Sequence, residues 1–175
     1  KNIYVPDNTT IATSADELQL IAPVPGELVP MGDIPDATFA QGILGQCFGV
    51  KPTNGQVCAP VSGLVTTVAE TSHAVSIKAD NGQEVLIHIG IDTVQLAGKG
   101  FNVQVKAGQR VAVGDALVET DLDTITAAGY NPMVITILLD TEGEAQEAEH
   151  IARTLMHVVA RLLDFGGQFG LHALD

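Results

Sequence analysis

Two histidines set among aliphatic residues are the first chemical signal in this chain. His88 lies in Gly82-Gln83-Glu84-Val85-Leu86-Ile87-His88-Ile89-Gly90-Ile91-Asp92-Thr93-Val94-Gln95, and His73 lies fifteen positions upstream in Thr71-Ser72-His73-Ala74-Val75-Ser76-Ile77. A titratable ring in an apolar strand costs free energy unless it is paired or used. Strand alternation puts Val85, Ile87, Ile89 and Ile91 on one face, a core face, and turns Leu86, His88 and Gly90 the other way. His88 is therefore expected to be exposed, with Gly90 opening space beside it and Asp92 offering a carboxylate.

A pair of imidazoles supports two chemistries. Both could ligate a metal, but a closed zinc site takes about four ligands and a catalytic one about three. No Cys-x-x-Cys, His-x-His or His-Glu-x-x-His supplies the rest. Alternatively a neutral imidazole nitrogen attacks phosphorus and carries the phosphoryl group, while the second ring donates a hydrogen bond to its oxygens. Two histidines are enough for that, and too few for a self-contained zinc enzyme.

The elements that must hold such a pair read as strands. From Ile21 to about Asp140, runs such as Ser62–Val68, Ala74–Lys78, Val85–Ile91, Val111–Val113, Ala116–Glu119 and Met133–Leu139 alternate with turn signals. Among those signals are Asn54-Gly55, a strong hairpin cue, Asp80-Asn81-Gly82 and Ala107-Gly108. Ala22-Pro23-Val24-Pro25-Gly26 and Ala59-Pro60-Val61-Ser62-Gly63 share an Ala-Pro-Val-x-Gly text, which suggests a duplicated β unit. Between the copies, residues 35–41 suit a short helical turn. The expected class is all-β: an antiparallel β-sandwich with internal duplication, plus a C-terminal amphipathic helix. Residues 1–20 read as a loose leader, 21–143 as the domain and 144–175 as a helical tail. In the tail Ile151, Leu155, Val158, Val159, Leu162 and Leu163 recur at helical spacing. His150, His157 and His172 lie in that tail, where solvated histidines are the expectation.

The net charge of −13 argues against nucleic acid and anionic membrane surfaces and suits a basic protein partner. No apolar run approaches the roughly 18 residues of a membrane span. Aromatic residues make up 4% of the chain and tryptophan is absent, so the core must rest on Val, Ile, Leu and Ala. Cys47 and Cys58 have no metal spacing and are expected to be buried thiols in a reducing cytoplasm. Lys1 opens the chain in place of a start methionine, as in a sequence trimmed from something longer.

The histidine segment, read as Gly82-x-x-Val85-Leu86-Ile87-His88-Ile89-Gly90-Ile91-x-Thr93-Val94, resembles the signature of the glucose-type EIIA domain of the bacterial sugar phosphotransferase system. The resemblance runs from about Ile21 to Leu139. It takes in Pro35-Asp36-x-x-Phe39-Ala40, Gly49-Val50-x-Pro52, both Ala-Pro-Val-x-Gly copies, His73-Ala74, Gly100-Phe101, and Gly108-Gln109-x-Val111-x-Val113-Gly114-Asp115. It implies a cytoplasmic phosphocarrier without cofactor that accepts phosphate from phospho-HPr and passes it to a cysteine of EIIB, with regulatory protein targets as further partners. His88 stands at the phospho-acceptor position and His73 at that of the second active-site histidine. Thr71 matches the residue that hydrogen-bonds the second ring. Asp36 and Asp92 match acidic docking positions, and Phe39, Ile43 and Val94 match an apolar rim. Ala69 and Ser76 are small where relatives often carry phenylalanine, which implies a shallower rim.

A related sandwich has two other uses. A biotinyl or lipoyl carrier resembles residues 105–117, but the modifiable lysine at a hairpin tip is missing. A zinc module would need ligands beyond His73 and His88, although a partner's carboxylate could complete a transient site there.

Overall fold

The computed structural model describes residues 20–139, together with the backbone of two short strands before them, β1 (Tyr4–Val5) and β2 (Thr10–Ile11). The expected tail helix, with its three histidines, and most of the leader lie outside the described residues. The remaining strands are β3 (Leu20–Ile21), β4 (Gly26–Pro30), β5 (Gly45–Pro52), β6 (Gln56–Cys58), β7 (Gly63–Val68), β8 (Ala74–Ala79), β9 (Glu84–Ile91), β10 (Phe101–Val103), β11 (Arg110–Val111), β12 (Ala116–Thr120) and β13 (Asn131–Leu139). Two short α-helices, α1 (Ala37–Ala40) and α2 (Leu122–Ala127), join them. All strand pairings are antiparallel. One sheet runs β1-β4-β5-β13-β9-β8-β7-β11, a second runs β10-β12-β6, and β2 pairs with β3.

The main core joins the large sheet to the small one. Val50, Val65, Ile77, Ile87 and Ile89 from the first meet Val57, Leu117 and Val118 from the second. Each is almost fully buried, a gain of about 1.5–3 kcal/mol for a large aliphatic side chain. A second apolar cluster (Val29, Ile34, Phe39, Cys47, Ile91, Met133, Ile135 and Ile137) packs around α1.

The duplication has a physical counterpart. The Ile21 N–H donates to the Pro60 carbonyl at 3.0 Å, and the Cys58 N–H donates to the Pro23 carbonyl at 2.7 Å. Each bond is the image of the other under the same sequence shift. Gly26 opens β4 and Gly63 opens β7, and a Cβ on either would lie 1.9 Å from the Lys51 carbonyl oxygen or 2.1 Å from that of Lys78. Only glycine permits that approach.

Three expectations are corrected here. Asn54-Gly55 does not close a hairpin: β5 pairs with β4 and β13, whereas β6 pairs with β12, so the turn carries the chain from one sheet to the other. Residues 122–127 are helical because the Asp121 carboxylate accepts from the Thr124 N–H at 3.1 Å, an N-cap, and Ile125 is buried beneath. Cys58 is only partly buried, unlike Cys47.

Candidate functional site

β8 and β9 lie side by side with Ala74 opposite His88, which brings His73 next to that ring. The Ile89 N–H donates to the His73 carbonyl at 2.7 Å, tying the two backbones together at this point. The two imidazoles meet edge to face, with centroids 4.9 Å apart and planes at 82°. The ring of Phe39, from α1, flanks His88 with a centroid distance of 5.1 Å. The pairing expected from the sequence is therefore present in space.

Each ring is held through Nδ1. His88 Nδ1 lies 2.7 Å from the Gly90 carbonyl oxygen. A carbonyl only accepts, so Nδ1 carries the proton and Nε2 of the neutral ring keeps its lone pair. His73 Nδ1 lies 2.7 Å from the Thr71 hydroxyl, which fixes that ring's rotation and leaves its Nε2 free to bear a proton. Burial pulls the His73 pKa below the ordinary histidine value. For His88 burial is again the largest cause, reinforced by His73 and opposed by the Gly90 carbonyl, Asp36 and Asp92. Both rings are thus neutral at neutral pH, and His88 presents a defined nucleophilic nitrogen.

His88 is half-buried. The residues around it differ from their expected roles in three ways. Gly90 does not open space for a ligand: it has φ +80°, and a Cβ there would fall 2.2 Å from Thr93 Cγ2. The kink at Gly90, opposite a register shift in β13, also breaks the alternation, so Ile91 joins the second cluster instead of sharing a core face with Ile89. Phe39 is only 7% exposed and serves as a wall of the site rather than a rim residue for docking.

The neighbouring segments carry exposed apolar and acidic residues. Ile43 is 63% exposed, Val94 46% and Leu44 38%. Asp92 is exposed and stands in a left-handed conformation with φ 61°. Asp36 is partly buried because it caps α1, accepting from the Thr38 N–H at 2.9 Å and from the Phe39 N–H. Such a cap stabilises by about 1 kcal/mol and sets the Phe39 ring against His88.

Sequence reasoning missed two participants. Thr93 is completely buried, and its hydroxyl donates to the Ile89 carbonyl. The buried Cys47 thiol donates to the Phe39 carbonyl at 3.3 Å, and burial pushes its pKa up to about 11, so it is no nucleophile near neutral pH. Among the described residues no group of three or more His, Cys, Asp or Glu side chains is arranged to hold a metal ion. No helix among them is long and apolar enough to cross a membrane.

The fold and site together define a duplicated antiparallel β-sandwich that presents a paired-histidine centre on its large sheet. A family model described as phosphoenolpyruvate-dependent sugar phosphotransferase system, EIIA 1, matches residues 18–143, and the chain belongs to this family. A glucose-specific EIIA component of Staphylococcus epidermidis is 44% identical over 134 residues, covering 77% of this chain and 80% of the relative. One from Staphylococcus aureus is 47% identical over 123 residues, covering 69% and 74%. Among solved structures, glucose permease IIA from Mycoplasma capricolum superposes with a TM-score of 0.67 at 34% identity, covering 72% of this chain and 82% of that one. The chain is thus a phosphocarrier component of a sugar phosphotransferase system.

Proposed function

We propose that His88 Nε2 is the atom that carries the phosphoryl group, taken from phospho-HPr and delivered to a cysteine of EIIB. The observation that supports this best is the Nδ1–H of His88 bonded to the Gly90 carbonyl, which leaves Nε2 unprotonated. The lone pair attacks the phosphorus of the donor phosphohistidine, the donor nitrogen leaves with its electron pair, and attack by the EIIB thiolate later reverses the process at His88. His73, its Nδ1 engaged by Thr71, donates through Nε2–H to the phosphoryl oxygens. The rim of Ile43 and Val94 limits water at the N–P bond, and Asp36 and Asp92 receive a basic partner face.

This reading places the chain in the cytoplasm, on residues 21–143 as the working domain. The names of the relatives make glucose the sugar we propose. The decisive experiment is phosphorylation by phosphoenolpyruvate, enzyme I and HPr, followed by location of the label. His88→Ala should take up none; a His88→Ala protein that still labels would refute the assignment.

A further inference from the structure

We propose that Thr93 is a positioning residue for His88, holding the Gly90 carbonyl where it fixes the imidazole's tautomer. The His88 ring takes its proton placement from one acceptor, the Gly90 carbonyl at 2.7 Å. That carbonyl belongs to a residue with φ +80°, a conformation that Gly can hold but for which it has no strong preference. Something must hold it there. The peptide joining Ile89 to Gly90 is fixed at its carbonyl by the Thr93 hydroxyl. The preceding peptide, His88–Ile89, is fixed in turn through the Ile89 N–H, which donates to the His73 carbonyl at 2.7 Å.

The Thr93 methyl lies against Gly90. It occupies the space that a side chain on residue 90 would need, with Cγ2 only 2.2 Å from the position of such a Cβ. Thr93 begins the 3-10 turn Thr93–Leu96, directly after Asp92 in its left-handed conformation, and is itself wholly buried. The Gly90 carbonyl lies in the next peptide, Gly90–Ile91, so with the Ile89–Gly90 plane held its aim at His88 Nδ1 depends only on the two dihedrals of Gly90. Loss of the hydroxyl frees the Ile89–Gly90 plane to rotate, which shifts the Gly90–Ile91 peptide after it, lets the Nδ1–H bond to the Gly90 carbonyl lengthen, and allows the proton to move to Nε2. A ring in that state has no lone pair to offer outward.

The transfer readout rests on the reading of His88 as the acceptor, whereas the tautomer readout does not. Nitrogen-15 histidine NMR above pH 6.5, the ordinary histidine value, compares the full chain with Thr93→Val and Thr93→Ser. The parent and Thr93→Ser should show His88 in a single Nδ1–H form, and Thr93→Val a mixture. Phosphoryl uptake from phospho-HPr should fall about tenfold or more in Thr93→Val and recover in Thr93→Ser. A folded Thr93→Val protein with the parent's single tautomer would overturn the proposal. So would a folded Thr93→Ser protein with a mixed tautomer, which decides the matter even if Thr93→Val does not fold. A shifted tautomer with unchanged uptake would support the positioning role and count against His88 as the acceptor.

Discussion

His73 and His88 meet edge to face with ring centroids 4.9 Å apart, so a proton on one ring raises the cost of a proton on the other. Burial at this contact already disfavours the charged forms of both rings. The pair is therefore biased towards two neutral rings, as a nucleophile and a neutral hydrogen-bond donor require.

The first prediction concerns pH. Both folded-state pKa values lie below the ordinary value of 6.5, so between that value and the lowered ones the unfolded chain binds more protons than the folded chain. Stability contributed by these groups is complete above about pH 6.5 and is lost as pH falls through the folded values. Denaturant titrations across this range should show that loss in the parent and a smaller one in a His73→Gln, His88→Gln double variant. Equal slopes in the two proteins would contradict the lowered values.

The second prediction separates the two rings. His73→Gln should slow delivery to EIIB more than loading from HPr, because the role proposed for His73 is to support the phosphorylated state. Rapid-quench measurement of each half-reaction tests this, and equal slowing of both would argue against that role.

A third prediction addresses the kink. Gly90→Ala should destabilise the domain by about 2–4 kcal/mol, combining a left-handed backbone cost with overpacking against Thr93. Thermal unfolding measures it; a change below the range of surface substitutions would mean that residue 90 is not constrained as described.

The fourth lies away from the site. The Thr136 hydroxyl is buried in β13 without a hydrogen-bond partner among the described residues. Thr136→Val keeps the shape and removes the unsatisfied group, and should stabilise by about 1–3 kcal/mol. Its denaturation midpoint should rise, with phosphoryl uptake unchanged.

The regular strands were legible because their alternation is plain: Val85, Ile87 and Ile89 in β9, and Val75 and Ile77 in β8, all face the core. β5 was not singled out, since Cys47, Phe48, Gly49 and Val50 are all buried and show no period of two. The short helix after Asp121 was hidden by Leu122, Ile125 and neighbouring threonines that read equally well as strand. At the site, parity alone aimed His88 correctly. The purpose of Gly90 was misread because its neighbour in space, Thr93, follows only after a left-handed residue at Asp92. Phe39 looked like a surface aromatic, but the Asp36 cap folds it inward against His88.

The reciprocal bonds at Ile21–Pro60 and Cys58–Pro23 give the chain the logic of a fused homodimer. A molecule with a single copy of the Ala-Pro-Val-x-Gly turn would leave its proline carbonyl unanswered until a second molecule met it with the same segment. In this chain both partners of that exchange lie on one polypeptide, so the two turns stay together at any concentration, and His73 and His88 follow only the second copy.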